Sequence, residues 1–202
     1  MNEYDGTFVC VEGIDGSGKG TLIEKLRKEN EFSESLFTQE PSSFFYGHSI
    51  RDRLRVEDEP SPADFFAFLA DRYQHCTESI KPTLQSGRNV ICDRYALSTF
   101  AYQTKVLDEE LGIIDPIQYI QEMSYHFTIE PDLYLYLSVD VDTALERIDT
   151  KEKYEDKESL VEAKRIYDYL ASEKPNVVTI DGEKNSDEVF QIAKTHINGI
   201  FD

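Results

Sequence analysis

The chain has 202 residues, a formal net charge of -19, and 40% hydrophobic and 12% aromatic content. That length suits one well-buried domain over residues 1–202, and the apolar fraction excludes a disordered chain. So negative a charge argues against nucleic-acid and anionic-membrane partners, since both present phosphates. Solubility alone accounts for the charge. A high-salt cytoplasm is the sharper reading, and it predicts an unfolding midpoint that rises between low and molar KCl.

No run of about 18 apolar residues is present to cross a membrane. The opening Met1-Asn2-Glu3-Tyr4-Asp5 lacks the basic and apolar regions of a signal peptide. Cys10, Cys76 and Cys92 are odd in number and lack paired spacing. They read as reduced, buried thiols of a cytoplasmic protein.

In chain order, Thr7–Val11 reads as a buried strand, followed by a glycine-rich turn and a helix from about Lys19 to Lys28. Leu36–Gln39 is a short second strand. Pro62 opens a helical stretch toward Gln85, with Phe65, Phe66, Leu69 and Tyr73 on its apolar face. Pro82 is expected to bend or end its last turn. Asn89–Cys92, Leu133–Val139 and Asn176–Ile180 supply three more strands. Asp142 is expected to cap a helix through Ile148, and Asn185 with Glu188 to form a capping box for the last helix. Continuous apolar strands separated by helices predict an α/β fold: a five-stranded parallel sheet covered by helices on both faces.

After the first strand comes Gly13-Ile14-Asp15-Gly16-Ser17-Gly18-Lys19-Gly20-Thr21. A strand, then Gly-x-x-x-x-Gly-Lys, then a helix is the setting of a phosphate-binding P-loop. Backbone N–H groups of Gly13, Gly16, Ser17, Gly18 and Gly20 can turn toward phosphates at a helix N-terminus. Lys19 supplies charge to the β- and γ-phosphates of ATP. Gly20 occupies the place of the usual metal-ligating hydroxyl, with Thr21 one place later.

Four segments together resemble the thymidylate kinases, a family of P-loop nucleoside monophosphate kinases. They are Val11–Lys19, Thr38-Gln39-Glu40-Pro41, Phe68–His75 and Asp93–Gln103, in that order along nearly the whole chain. The resemblance implies phosphoryl transfer from MgATP to dTMP, giving dTDP and ADP for dTTP synthesis, by a homodimer with Mg²⁺ as cofactor.

Phe68 and Arg72 lie four apart and share a helix face. An aromatic plane can stack on a pyrimidine while the guanidinium donates to a carbonyl on its edge. The resemblance makes that carbonyl thymine O4, which would disfavour cytosine. Phe68 as core and Arg72 as a surface charge is the plain alternative. Asp93-Arg94 ends a parallel strand, where open α/β sheets bind ligands. Similarity to the family assigns Arg94 to the acceptor phosphate and Asp93 to the metal or the acceptor.

By the same resemblance, Thr99, with Ser98, contacts the thymine edge. Tyr102 fills the place of a ribose 2′-hydroxyl, and Asp15 accepts from the 3′-hydroxyl. Gln39 stands where the family has arginine, and Arg51 is the candidate to compensate. Glu40 either orients Arg94 or reaches the metal through water. Residues 149–157 correspond to the family's lid over ATP, where catalytic arginines are expected; the segment holds none, Lys151 and Lys153 are the candidates in their place, and Lys153 is the better one. Arg147 either stacks on adenine or is a surface charge. The competing readings are a kinase for another deoxynucleotide and a nucleotide-binding protein without turnover. A switch GTPase would need an Asn-Lys-x-Asp motif, which the chain lacks.

Overall fold

The computed structural model describes residues 4–55, 61–148 and 156–201. Five parallel strands form one sheet, in the order β2-β3-β1-β4-β5. They are β1 (Phe8–Glu12), β2 (Leu36–Gln39), β3 (Val90–Asp93), β4 (Leu133–Ser138) and β5 (Val177–Asp181). Each lies within about a residue of the expected segment.

The helices are α1 (Lys19–Leu26), α2 (Phe45–Leu54), α3 (Pro62–His75), α4 (Lys81–Gln85), α5 (Ala96–Leu111), α6 (Pro116–Ser124), α7 (Val141–Arg147), α8 (Lys157–Glu173) and α9 (Ser186–Phe201). Among the described residues no helix is long and apolar enough to cross a membrane.

The apolar runs of the central strands divide by the period-two pleat into two cores. Phe8, Cys10, Cys92, Tyr134 and Tyr136 point to one face, where α3, α5 and α8 bring Phe65, Leu69, Leu97 and Tyr167. Val9, Val11, Ile91, Leu135 and Leu137 point to the other and meet Leu22 and Leu26 of α1 and Phe190 and Ile197 of α9. A strand buried on both faces cannot alternate polar and apolar residues, which is why its sequence is continuous. All three cysteines are free and buried, and Cys10 and Cys92 sit side by side in register.

Ser61 caps α3 in a capping box with Asp64, and Pro62 takes the first turn, where its missing N–H costs nothing. A π-helical stretch, Cys76–Ile80, then carries the chain into α4. Pro82 therefore does not end the helix: it lies in the first turn of α4. The wider turn before it accommodates its absent donor.

The apolar face of α3 also differs from expectation. Phe65 and Leu69 are buried, whereas Phe66 and Tyr73 are 46% and 53% exposed. The inward stripe is Phe65, Leu69, Arg72 and Cys76, at i, i+4, i+7 and i+11. Asp140, rather than Asp142, is the N-cap residue of α7, and its side chain makes no capping bond. Asp142 lies in the first turn and pairs with Lys157. Asn185 does cap α9: its Oδ1 accepts from the N–H groups of Asp187 and Glu188.

Candidate active site

The carboxyl ends of β1, β2 and β3 open into a cavity of about 690 Å³. Its floor is the P-loop. Gly13 (φ +147°) and Gly16 (φ +77°) hold backbone geometry that other residues rarely adopt. They also sit against neighbouring chain: a Cβ on Gly16 would collide with the Ala144 carbonyl, and one on Gly13 would lie 2.7 Å from the Leu137 oxygen. Gly20 has open space around it, so packing does not explain why a hydroxyl residue is missing there.

Lys19 Nζ donates to the carbonyls of Gly13 and Ile14 at 2.9 and 2.8 Å. Burial, reinforced by the nearby Arg94 charge, lowers the Lys19 pKa to about 8 against the pull of Asp15, Asp93 and Glu12. Ser17 Oγ is buried without a partner among the described residues. Both groups suit a phosphate, which offers acceptors to each.

Arg94 follows β3 with φ +62°, an uncommon backbone state for a residue with a side chain. The turn is pinned on both sides. Arg94 N–H donates to the Val11 carbonyl at 2.9 Å. The buried Glu12 carboxylate accepts from the Tyr95 and Ser98 N–H groups at 2.9 and 3.3 Å, capping α5 from a neighbouring strand. Ser98 Oγ and Tyr167 OH also donate to Glu12, at 2.7 and 3.0 Å.

Held this way, the Arg94 guanidinium pairs with Asp15 and donates to the Gly13 carbonyl at 3.1 Å. Tyr102 OH donates to the second Asp15 oxygen at 3.0 Å. Burial opposes the Asp15 charge, but Arg94 and Lys19 outweigh it and hold the carboxyl at about 2. Asp93 Oδ1 is buried and unpartnered among the described residues.

The far end of the cavity is closed by α3. Phe68 and Arg72 both line it, with Thr99. Arg72 is only 1% exposed, so the reading of it as a surface charge is wrong. Its Nε and Nη2 donate to one oxygen of Glu40, at 3.1 and 2.6 Å, and its guanidinium carbon lies 4.8 Å from the Tyr95 ring centroid. Nη1 is left without a partner among the described residues. The other Glu40 oxygen faces His75 Nδ1 at 3.2 Å. Burial works against the Glu40 charge; Arg72 and then the His75 bond overcome it and lower the pKa.

A family model described as thymidylate kinase matches residues 11–192. The chain belongs to the thymidylate kinase family. Relatives named probable thymidylate kinase include proteins of Methanoculleus marisnigri, Halorubrum lacusprofundi and Natronomonas pharaonis. The first is 35% identical over 186 residues, covering 90% of this chain and 89% of the relative. The second is 33% identical over 184 residues, covering 90% and 92%. The third is 33% identical over 169 residues, covering 83% and 85%.

The structure brings most of the thymidylate kinase residues expected from sequence to this one cavity, but several carry different partners. Glu40 is engaged by Arg72 and His75 rather than by Arg94. Ser98 Oγ is committed to Glu12 and Tyr167. Arg51 lines the cavity while Nη1 donates to the Pro41 carbonyl at 2.6 Å. Arg147 reaches the P-loop side, donating to the Gly182 carbonyl at 3.1 Å and approaching that of Gly16 at 3.5 Å. Lys151 and Lys153 lie outside the described residues, with 149–155 of the expected lid.

Two residues escaped the sequence reading. Glu12 was visible as an acid closing an apolar strand. His75 stands three residues after Arg72, on the same helix face.

Proposed function

We propose that this chain transfers the γ-phosphoryl group of MgATP to dTMP, giving dTDP and ADP. The observation that carries the reading is the unpartnered, buried Nη1 of Arg72, in the same cavity as Lys19 and Arg94. A guanidinium offers only donors, so it favours a base carbonyl and rejects an exocyclic amino group in the same place. Phe68 supplies the stacking face and Thr99 a polar neighbour. Tyr102, held by Asp15, disfavours a 2′-hydroxyl, and Asp15 receives the 3′-hydroxyl.

Arg94 and Arg51 take the acceptor phosphate. Lys19, Ser17 and the P-loop amides take those of ATP, and Arg147 faces the adenine. Among the described residues no group of three or more His, Cys, Asp or Glu could hold a metal ion alone. The unpartnered Asp93 oxygen fits a Mg²⁺ ion that arrives with the nucleotide. Bound there, Mg²⁺ would neutralise charge building on the phosphate oxygens. Asp93 and Arg94 then orient donor and acceptor, which is most of what phosphoryl transfer needs. Lys153 belongs to this reading as the lid cation.

The exposed rings of Phe66 and Tyr73, seven residues apart on α3, suit a homodimer packed through helices. The whole chain acts as one kinase domain in this account. The test is coupled ADP release from MgATP with a panel of nucleoside monophosphates, at low and molar KCl. Strong preference for dTMP is expected. Absence of turnover with every acceptor at both salts would favour a nucleotide-binding protein without kinase activity.

A further inference from the structure

We propose that His75 is a positioning residue for base selection, keeping Glu40 occupied so that Arg72 Nη1 stays free for the acceptor base. This rests on the reading of Arg72 as the group that meets the base.

The geometry of the pair leaves a gap that Arg72 cannot fill itself. Both Nε and Nη2 converge on Oε2 of Glu40. Two donors on one oxygen do not fix the plane of a carboxylate, whose terminal torsion is soft. The other oxygen, Oε1, is fixed by His75 Nδ1 at 3.2 Å. Without that bond Oε1 would be a buried acceptor with no partner, which is costly. Arg72, already bonded to Glu40, carries an unspent donor in its Nη1. Rotation of the carboxylate toward a two-oxygen fork with the end of the guanidinium would satisfy Glu40 and consume the nitrogen meant for the base.

His75 is built to prevent this. It is fully buried, and its Nε2 lies 2.7 Å from Thr38 Oγ1. An ionised carboxylate can only accept, so Nδ1 carries the proton. In the neutral ring Nε2 accepts from the Thr38 hydroxyl. Thr38, in β2, and Glu40, just past its end, are two apart and lie on one side, and Arg72 and His75 share one helix face. The chain Thr38–His75–Glu40–Arg72 therefore ties β2 to α3 and ends on a single free donor. Tyr95 holds the guanidinium from its face, and its own hydroxyl is engaged by Cys76 Sγ at 2.9 Å and the Ile129 N–H at 3.0 Å.

The experiment compares kcat and KM for dTMP and dCMP in the wild type, His75→Leu, His75→Asn and Thr38→Val. A wild type that does not prefer dTMP would sink the reading of the site itself, before His75 is considered. Given that preference, His75→Leu should raise the KM for dTMP about tenfold and lower the dTMP-over-dCMP ratio in kcat/KM by at least about tenfold. The KM for ATP should stay within about twofold. His75→Asn places an amide donor near the position of Nδ1 and should recover most of the ratio. A folded His75→Leu with the wild-type ratio overturns the proposal, as does an Asn variant no better than Leu. Should His75→Leu not fold, Thr38→Val decides: a lowered ratio supports the relay and an unchanged ratio overturns it.

Discussion

The cavity contains two arginine–carboxylate pairs that differ in what surrounds them. At the base end, Arg72 and Glu40 have side chains 1% and 5% exposed. At the phosphate end, Arg94 and Asp15 are 18% and 33% exposed, and Arg94 also rests on a backbone carbonyl of the P-loop. A sealed pair cannot exchange its partner for a ligand group, since either charge alone in the interior would be strongly penalised. It can only present a leftover donor, which suits recognition of a neutral base edge. A half-open pair can trade a carboxylate or carbonyl for an incoming phosphate at little cost. On the proposed function, the same two side-chain types serve a fixed reader at one end and an exchangeable clamp at the other.

The largest effect should come from breaking the sealed pair. Arg72→Leu leaves the Glu40 carboxylate buried with only His75 beside it, and unfolding free energy should fall by about 3–5 kcal/mol. Adding Glu40→Leu should restore most of that stability, because both charges are then gone. Preference for dTMP should not return in the double variant. Denaturant unfolding and kcat/KM for dTMP measure the two separately. If stability and selectivity recover together, Arg72 is a structural ion pair and not the base reader.

Opening the clamp should cost less stability and more turnover. Arg94→Ala leaves Asp15 with the Tyr102 hydroxyl and access to solvent. Its stability loss should be about 1–2 kcal/mol. The kcat should fall about 10²–10³-fold, the usual cost of one well-placed donor to developing charge. A stability loss as large as that of Arg72→Leu would erase the distinction between the two ends.

How far each end could be read from sequence follows the same division. The phosphate end is local: the P-loop spans nine consecutive residues, Gly13–Thr21, between a strand and a helix, and Asp93-Arg94 closes another strand. Periodicity and glycine spacing carry that much, and with it the parallel sheet. The base end depends on partners brought together by the fold. Glu40 meets Arg72 across 32 residues and His75 across 35, and no local pattern announces that an arginine will be almost fully buried. Hence the sequence puts Arg72 on the right helix face but leaves a surface position open for it, and it offers Glu40 either to Arg94 or, through water, to the metal. The misplaced apolar face of α3 has the same origin. Phe66 and Tyr73 look like core by composition, while the inward stripe includes a charged residue.

The smallest effect sharpens the comparison by protons. Burial, and then Arg94, lowers the Lys19 pKa to about 8. A polyphosphate at Nζ favours the charged form, so binding raises that pKa and draws a proton wherever free Lys19 has lost one. Well below pH 8 the lysine is charged before and after binding, and no proton follows. Above it, uptake by Lys19 should approach one proton, and affinity for ATP should weaken by up to about tenfold per pH unit. ATP is itself fully ionised there, so titration calorimetry at pH 9 in two buffers of different ionisation heat reports the protein's proton. The base end should contribute none, because Arg72 is held charged by Glu40 and Glu40 ionised by Arg72. Uptake of close to one proton on binding thymidine, which brings no phosphate to Arg94 or Lys19, would place a titrating group at the end described as fixed. No uptake on binding ATP would mean that the carbonyls of Gly13 and Ile14 already hold Lys19 charged, making the loop as preset as the base reader.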